Sequence, residues 1–136
     1  MTQELIERLE EAEAGSGQLD DLVLKATGHI WHMDFGSSWY SMDGGKTRLY
    51  VNSAKVTTSL DAAIALAERV LPGVMWGFQE NRIDPAYPTV RPFSAWTRTE
   101  DGEIEGEAHS FALALCIAIL RAGSDSRKHI VAEGEG

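Results

Sequence analysis

Residues 108–122 read AHSFALALCIAILRA, and from Phe111 to Ala122 apolar side chains occupy nearly every position around the helix this spacing predicts. A surface helix keeps a polar face, so this one belongs inside a core, packed on a sheet or on other helices. It is well short of the roughly 20 apolar residues that span a bilayer. Ser110 is placed to cap its start and Gly123 to stop it.

Upstream, residues 59–80 read SLDAAIALAERVLPGVMWGFQE. Thr58 or Ser59 can cap a helix running to about Leu71, with Asp61 in its first turn. Leu60, Ala63, Ile64, Ala67, Val70 and Leu71 keep helical spacing, and Pro72-Gly73 ends it. Val74, Trp76 and Phe78 then alternate with Met75 and Gly77, as in a strand with one buried face. Residues 81–92, with Pro85, Pro88 and Pro92, read as a long loop. Phe93–Arg98 reads as a second strand, and Glu100-Asp101-Gly102-Glu103 turns into a third around Ile104. Residues 58–122 thus follow an α-β-β-β-α order, which places the chain in the α+β class. The expected architecture is two-layered, a small antiparallel sheet packed against helices. Ala63, Ile64, Ala67, Leu113, Leu115, Ile117 and Leu120 would meet Val74, Trp76 or Phe78, and Phe93 in its core.

The N-terminal part predicts a helix over 2–14, with Thr2 as cap, and a second over 18–26, closed by Gly28. Residues 29–36 read as aromatic and irregular. SSWYSM and TRLYVN flank Asp43-Gly44-Gly45-Lys46, which signals an extra β-hairpin. The whole reads as one domain over 1–123 followed by a flexible polar tail, 124–136.

A chain of 136 residues suits one domain. The net charge is −9, and the acid sits at the two ends. Residues 1–25 hold seven acids against two bases, and residues 100–136 hold eight against three. Direct binding to a phosphate backbone needs the opposite balance, because Lys and Arg must displace its counterions. The first residues, Met1-Thr2-Gln3-Glu4-Leu5, lack the basic and apolar regions of a secretory leader, and the single Cys116 rules out an internal disulfide. A reducing bacterial cytoplasm is the expected location, with no membrane association.

Three segments carry a family resemblance: Gln18-Leu19-Asp20, Val56–Ala63 (VTTSLDAA) and Ala112–Ala122 (ALALCIAILRA), with Trp76 between the last two. In order and spacing they resemble the small phage and prophage proteins of the phage ABA-sandwich domain family. The resemblance covers about half of the chain. It implies a phage setting, a layered fold and no assigned activity. Val56 stands where that pattern has Tyr, and the aromatic stretch 29–51 departs from it. The α-β-β-β-α order also looks like the double-stranded-RNA-binding domain, a similarity of order only. Lys residues open the last helix in that family, whereas the corresponding stretch here, Gly106-Glu107-Ala108-His109-Ser110, carries an acid.

Candidate chemistry is sparse. His29, His32 and Asp34 are the only residues spaced at all like metal ligands, and the flanking Gly28 and Gly36 argue against the helix their spacing would need. Structural or surface histidines are the simpler reading, and no metal or cofactor is expected. Cys116 reads as core packing, and no P-loop, nucleophile elbow or dinucleotide-binding glycine pattern occurs. Glu100, Asp101, Glu103, Glu105 and Glu107 form an alternating run. On a strand, Glu103, Glu105 and Glu107 would share one face, either as edge protection or as a row that mimics nucleic-acid charge. Trp31, Phe35, Trp39, Tyr40 and Tyr50 either cap the core or present a partner-binding patch. Arg82, Arg91 and Arg98 would serve an anionic ligand such as a nucleotide.

The expected function is therefore non-enzymatic: a phage accessory protein that binds a host or phage protein. Its sharpest form is a counter-defence inhibitor, anti-CRISPR-like, whose acidic face occupies a basic nucleic-acid-binding protein. A homodimer is a further expectation. The alternatives are a protein that sequesters a nucleotide or signal molecule and, ranked lowest, an RNA-binding module.

Overall fold

The computed structural model describes residues 2–42, 47–81, 86 and 91–135, with side-chain surroundings for all of these except 47, 51, 52 and 124–135. The fold is α+β, with four helices and two antiparallel three-stranded sheets among the described residues.

Helix α1 (Thr2–Glu11) buries the stripe Leu5, Ile6 and Leu9. Helix α2 (Gly17–Ala26) is capped by Ser16, whose hydroxyl accepts from the Leu19 amide at 3.2 Å. After it, Gly28 takes φ 91°, a conformation that L side chains rarely adopt, and the chain turns into a strand. The stretch read as irregular is in fact β1 (Ile30–Asp34), paired antiparallel with β2 (Ser37–Met42) across the two-residue turn Phe35-Gly36. Strand β3 (Thr47–Leu49) pairs with β2 from Met42↔Thr47 to Tyr40↔Leu49, as the hairpin signal predicts. The turn residues 43–46 lie outside the described residues. This hairpin is thus part of a complete sheet, not an appendage.

A 3-10 turn (Val51–Ala54) leads to α3 (Leu60–Val70), which Ser59 caps by accepting from the Ala62 amide at 3.3 Å. The second sheet follows: β4 (Met75–Glu80), β5 (Phe93–Thr99) and β6 (Gly102–Ala108), in the order β4-β5-β6. The register pairs Ala95 with Gly106 and Thr97 with Ile104 on the face that meets α4 (Phe111–Glu135). Leu113, Leu115, Cys116, Ile117 and Ile119 are all at most 1% exposed. Each large aliphatic side chain buried this way contributes about 1.5–3 kcal/mol relative to exposure.

Helix α4 is the hub. The β5–β6 surface covers one side of it, and α1 and α3 pack against others. Placing α3 directly on the sheet is therefore incorrect. Its buried side chains, Ala62, Ala63, Leu66 and Ala67, pack on the helical side of the core, with α4 intervening. Helix and sheet approach closely at Gly106, where an added Cβ would fall 2.5 Å from the Ala114 carbonyl oxygen and 2.9 Å from the Ala118 amide nitrogen. Small residues on both sides make that approach possible.

Two expectations need revision. Helix α4 does not stop at Gly123 but continues through it to Glu135. Gly123 takes no left-handed φ, so it acts as an ordinary if weak helix residue. On β4, Phe78 is packed against Phe111 at 5.3 Å between ring centroids, but Trp76 is 37% exposed. β4 is an edge strand, and only one end of its inner face is covered.

Candidate functional site

The β1–β3 sheet has two faces, set by its register. Trp31↔Tyr40 and Tyr40↔Leu49 place these three side chains on one face. Trp31 and Tyr40 meet with centroids 4.8 Å apart at 58°. The Tyr40 hydroxyl reaches α2 and donates to Asp21 Oδ1 at 2.5 Å, while Lys25 lies 3.0 Å from the other Asp21 oxygen. That hydrogen bond, supported by Lys25 and opposed by burial, holds the Asp21 carboxyl below its ordinary range. Burial first, then the hydrogen bond to Asp21 and the charge of that carboxylate, push the Tyr40 phenol up.

Beneath this face, between sheet, α2 and the 3-10 turn, lies a cavity of about 200 Å³ lined by Gly17, Asp20, Trp31, Tyr40, Leu49, Ala54 and Lys55. Asp20 is 7% exposed. Its Oδ1 accepts from the Thr57 amide at 2.8 Å and from the Thr57 hydroxyl at 2.5 Å. The Ser16 amide donates to the same hydroxyl oxygen at 3.1 Å, and the Cys116 thiol donates to the Val56 carbonyl at 3.3 Å. Burial, with the Asp20 charge adding, pushes the Cys116 thiol well above its ordinary value, so it is an inert packing group. Gln18-Leu19-Asp20, Val56-Thr57 and the ALALC stretch, far apart in sequence, thus converge on one point.

On the opposite face, His32 stacks on Trp39 with centroids 5.5 Å apart at 15°, and the Arg48 guanidinium sits 5.0 Å from the Trp39 ring centroid. Tyr50 packs at 6.4 Å from Trp39. Along the β1 edge both faces turn apolar, Ile30 on this one and Met33 on that of Trp31. Ile30 is 62%, Met33 78% and Phe35 103% exposed, the last at the tip of the β1–β2 turn. The candidate aromatics therefore divide. Tyr40 is buried and Trp39 half-buried, whereas Trp31, Phe35 and Tyr50 stand exposed.

The remaining candidates are scattered. His29 is buried, with Nδ1 3.1 Å from the Leu24 carbonyl and Nε2 accepting from Arg69 Nε at 3.1 Å. This suits a neutral imidazole protonated on Nδ1. His32 lies instead on the sheet beside Trp39, its Nε2 2.5 Å from the Ser41 hydroxyl, and Asp34 accepts from the Phe35 amide at 2.9 Å. Among the described residues no three His, Cys, Asp or Glu side chains gather as a metal site. Glu103, Glu105 and Glu107 do share the outer face of β6, with Ile104 turned inward, while Glu100 and Asp101 sit at the β5–β6 turn. Arg98, directly across from Glu103, pairs with it at 2.8 Å and covers Trp96 at 5.2 Å. Arg91 sits at the far end of β5, donating to the Glu10 carbonyl at 2.7 Å. Arg98 lies on β5 and Arg91 before its start, each engaged with a different partner, so the two form no common anion site. Arg82 lies outside the described residues.

Ile30, Met33 and Asp20 join the candidate residues only once the fold is known. Asp20 was legible in principle, because it falls with Leu19, Val23 and Leu24 on the inward stripe of α2. Comparison with protein families, curated proteins and solved structures finds no match for this chain.

Proposed function

We propose that this protein acts without catalysis, by binding another protein along the β1 edge of its aromatic sheet. The observation that carries this reading is Phe35, fully exposed at the hairpin tip, with Met33 and Ile30 exposed on the adjoining strand β1. Edge strands are usually blunted by Lys, Pro or bulges. Strand β1 reads Ile-Trp-His-Met-Asp, with one acid at its end and none of those devices. Large apolar side chains beside open backbone donors and acceptors suit strand addition by a partner's extended segment. The phage-family resemblance supplies the setting, a host or phage protein in the bacterial cytoplasm, with counter-defence inhibition as one form of the activity. Nucleic-acid mimicry has less support as the means, because Arg98 answers Glu103 within the acidic row.

The test is affinity capture from host lysate, with and without phage, beside sedimentation across a concentration range. Phe35→Lys and Met33→Lys change only exposed side chains, so the fold should persist while captured proteins or self-association are lost. Unchanged capture and unchanged sedimentation in both variants would remove the β1 edge as the binding surface.

A further inference from the structure

The cavity under Trp31 and Tyr40 shares Trp31 with strand β1 but opens between the sheet, α2 and the 3-10 turn, and it has its own chemistry. Its walls are apolar: the two rings at 4.8 Å, Leu49 and Ala54. Its one buried charge is Asp20, more than nine-tenths buried. The neighbouring Asp21 is answered by Lys25 and by the Tyr40 hydroxyl. Among the described residues, the Asp20 side chain hydrogen-bonds to Thr57, a neutral residue, and both of those bonds fall on Oδ1. Among the described residues, no cation lies within ion-pair distance of Asp20 and Oδ2 takes no hydrogen bond. A carboxylate with one oxygen unbonded in a largely apolar pocket favours a cation beside that oxygen.

We infer that the cavity is a binding site for a small organic monoamine, its ammonium on Asp20 Oδ2 and its apolar body against Trp31 and Tyr40. Aromatic faces attract an ammonium group in their own right, which adds to the carboxylate. A volume of about 200 Å³ corresponds to roughly seven waters, so the ligand is of benzylamine size rather than nucleotide size. Lys55 also lines the cavity and is exposed, so its ammonium opposes every further positive charge there and a diamine most. A phosphate or carboxylate group would meet Asp20, which sets this site against the anionic ligand the arginines had suggested.

Calorimetric titration of the full chain with benzylamine, benzyl alcohol and benzoate tests the inference. Benzylamine should bind one to one, about tenfold or more tighter than its neutral isostere, and benzoate should not bind. Trp31→Ala alters a side chain that is already 42% exposed, so the fold is kept while benzylamine affinity drops about tenfold. Asp20→Asn keeps an oxygen for Thr57 and should abolish the preference for amine over alcohol. Should that variant fail to fold, the amine-to-alcohol ratio on the unaltered chain still decides. No heat with benzylamine, equal affinity for benzyl alcohol, or unchanged binding in Trp31→Ala would each overturn the assignment.

Discussion

Thr57 holds Asp20 twice: its amide and its hydroxyl both donate to Oδ1, across 37 residues of chain. Removing the hydroxyl leaves a buried carboxylate with half its support. Thr57→Val should cost about 1.5–3 kcal/mol, the range for hydrogen bonds to charged groups, and Thr57→Ser much less. Urea denaturation midpoints measure both. Equal midpoints for the Val variant and the unaltered protein would mean the hydroxyl adds nothing.

The Tyr40–Asp21 hydrogen bond makes stability depend on pH at both extremes. The Asp21 carboxyl is lowered in the folded state, so its contribution is complete above the unfolded value of about 3.9 and fades as pH falls through the folded one. The Tyr40 phenol is raised, so its contribution is complete below the unfolded value of about 10 and fades above that. Tyr40→Phe should flatten both limbs of a stability-versus-pH profile. A Phe variant that keeps the same acid limb would show that Asp21 owes its shift to Lys25 alone.

Gly106→Ala should destabilise even though alanine is the better former of regular structure. The new methyl would meet the Ala114 carbonyl and the Ala118 amide of α4, backbone atoms that cannot swing aside. Strand and helix would have to separate, at about 1–3 kcal/mol. Thermal unfolding, read as a drop in Tm, checks this.

Thr97→Val should move stability the other way. Thr97 is 1% exposed on the α4 side of β5, and its hydroxyl has no hydrogen-bond partner among the described residues. Valine has nearly the same shape without the stranded polar group, so a gain of about 1 kcal/mol is expected. A loss would point to a hydrogen bond made by that hydroxyl in solution.

How much of this was legible beforehand varied with the local physics. Helix α4 was plain, because a helix apolar around its circumference can only sit in a core. The β4–β6 order and the one-sided row Glu103, Glu105, Glu107 also followed from strand periodicity. Strand β1 was not legible. Its apolar residues occupy both faces, Ile30 on one and Trp31 and Met33 on the other, so no polar–apolar alternation marks it. A strand exposed on both faces has the pattern of a loop. The Asp20 site was hidden differently: an acid in the first turn of a helix reads as dipole compensation even where it falls on the inward stripe, and its tertiary partner Thr57 shows what it holds there. Gly123 misled because glycine marks helix ends only where the chain needs a positive φ.

Because α4 is the element on which α1, α3 and the β5–β6 surface all pack, the order of synthesis matters. Both sheets and three helices precede Leu113, Leu115 and Ile117 in the chain, so α1, α3 and the β5–β6 surface lack their packing partner until α4 is made and seated. Until then the aromatic ribbon and the inner face of β5 and β6 remain open to water and to other chains. A chain truncated before Phe111 should therefore stay unfolded and aggregate, although it carries every strand of both sheets.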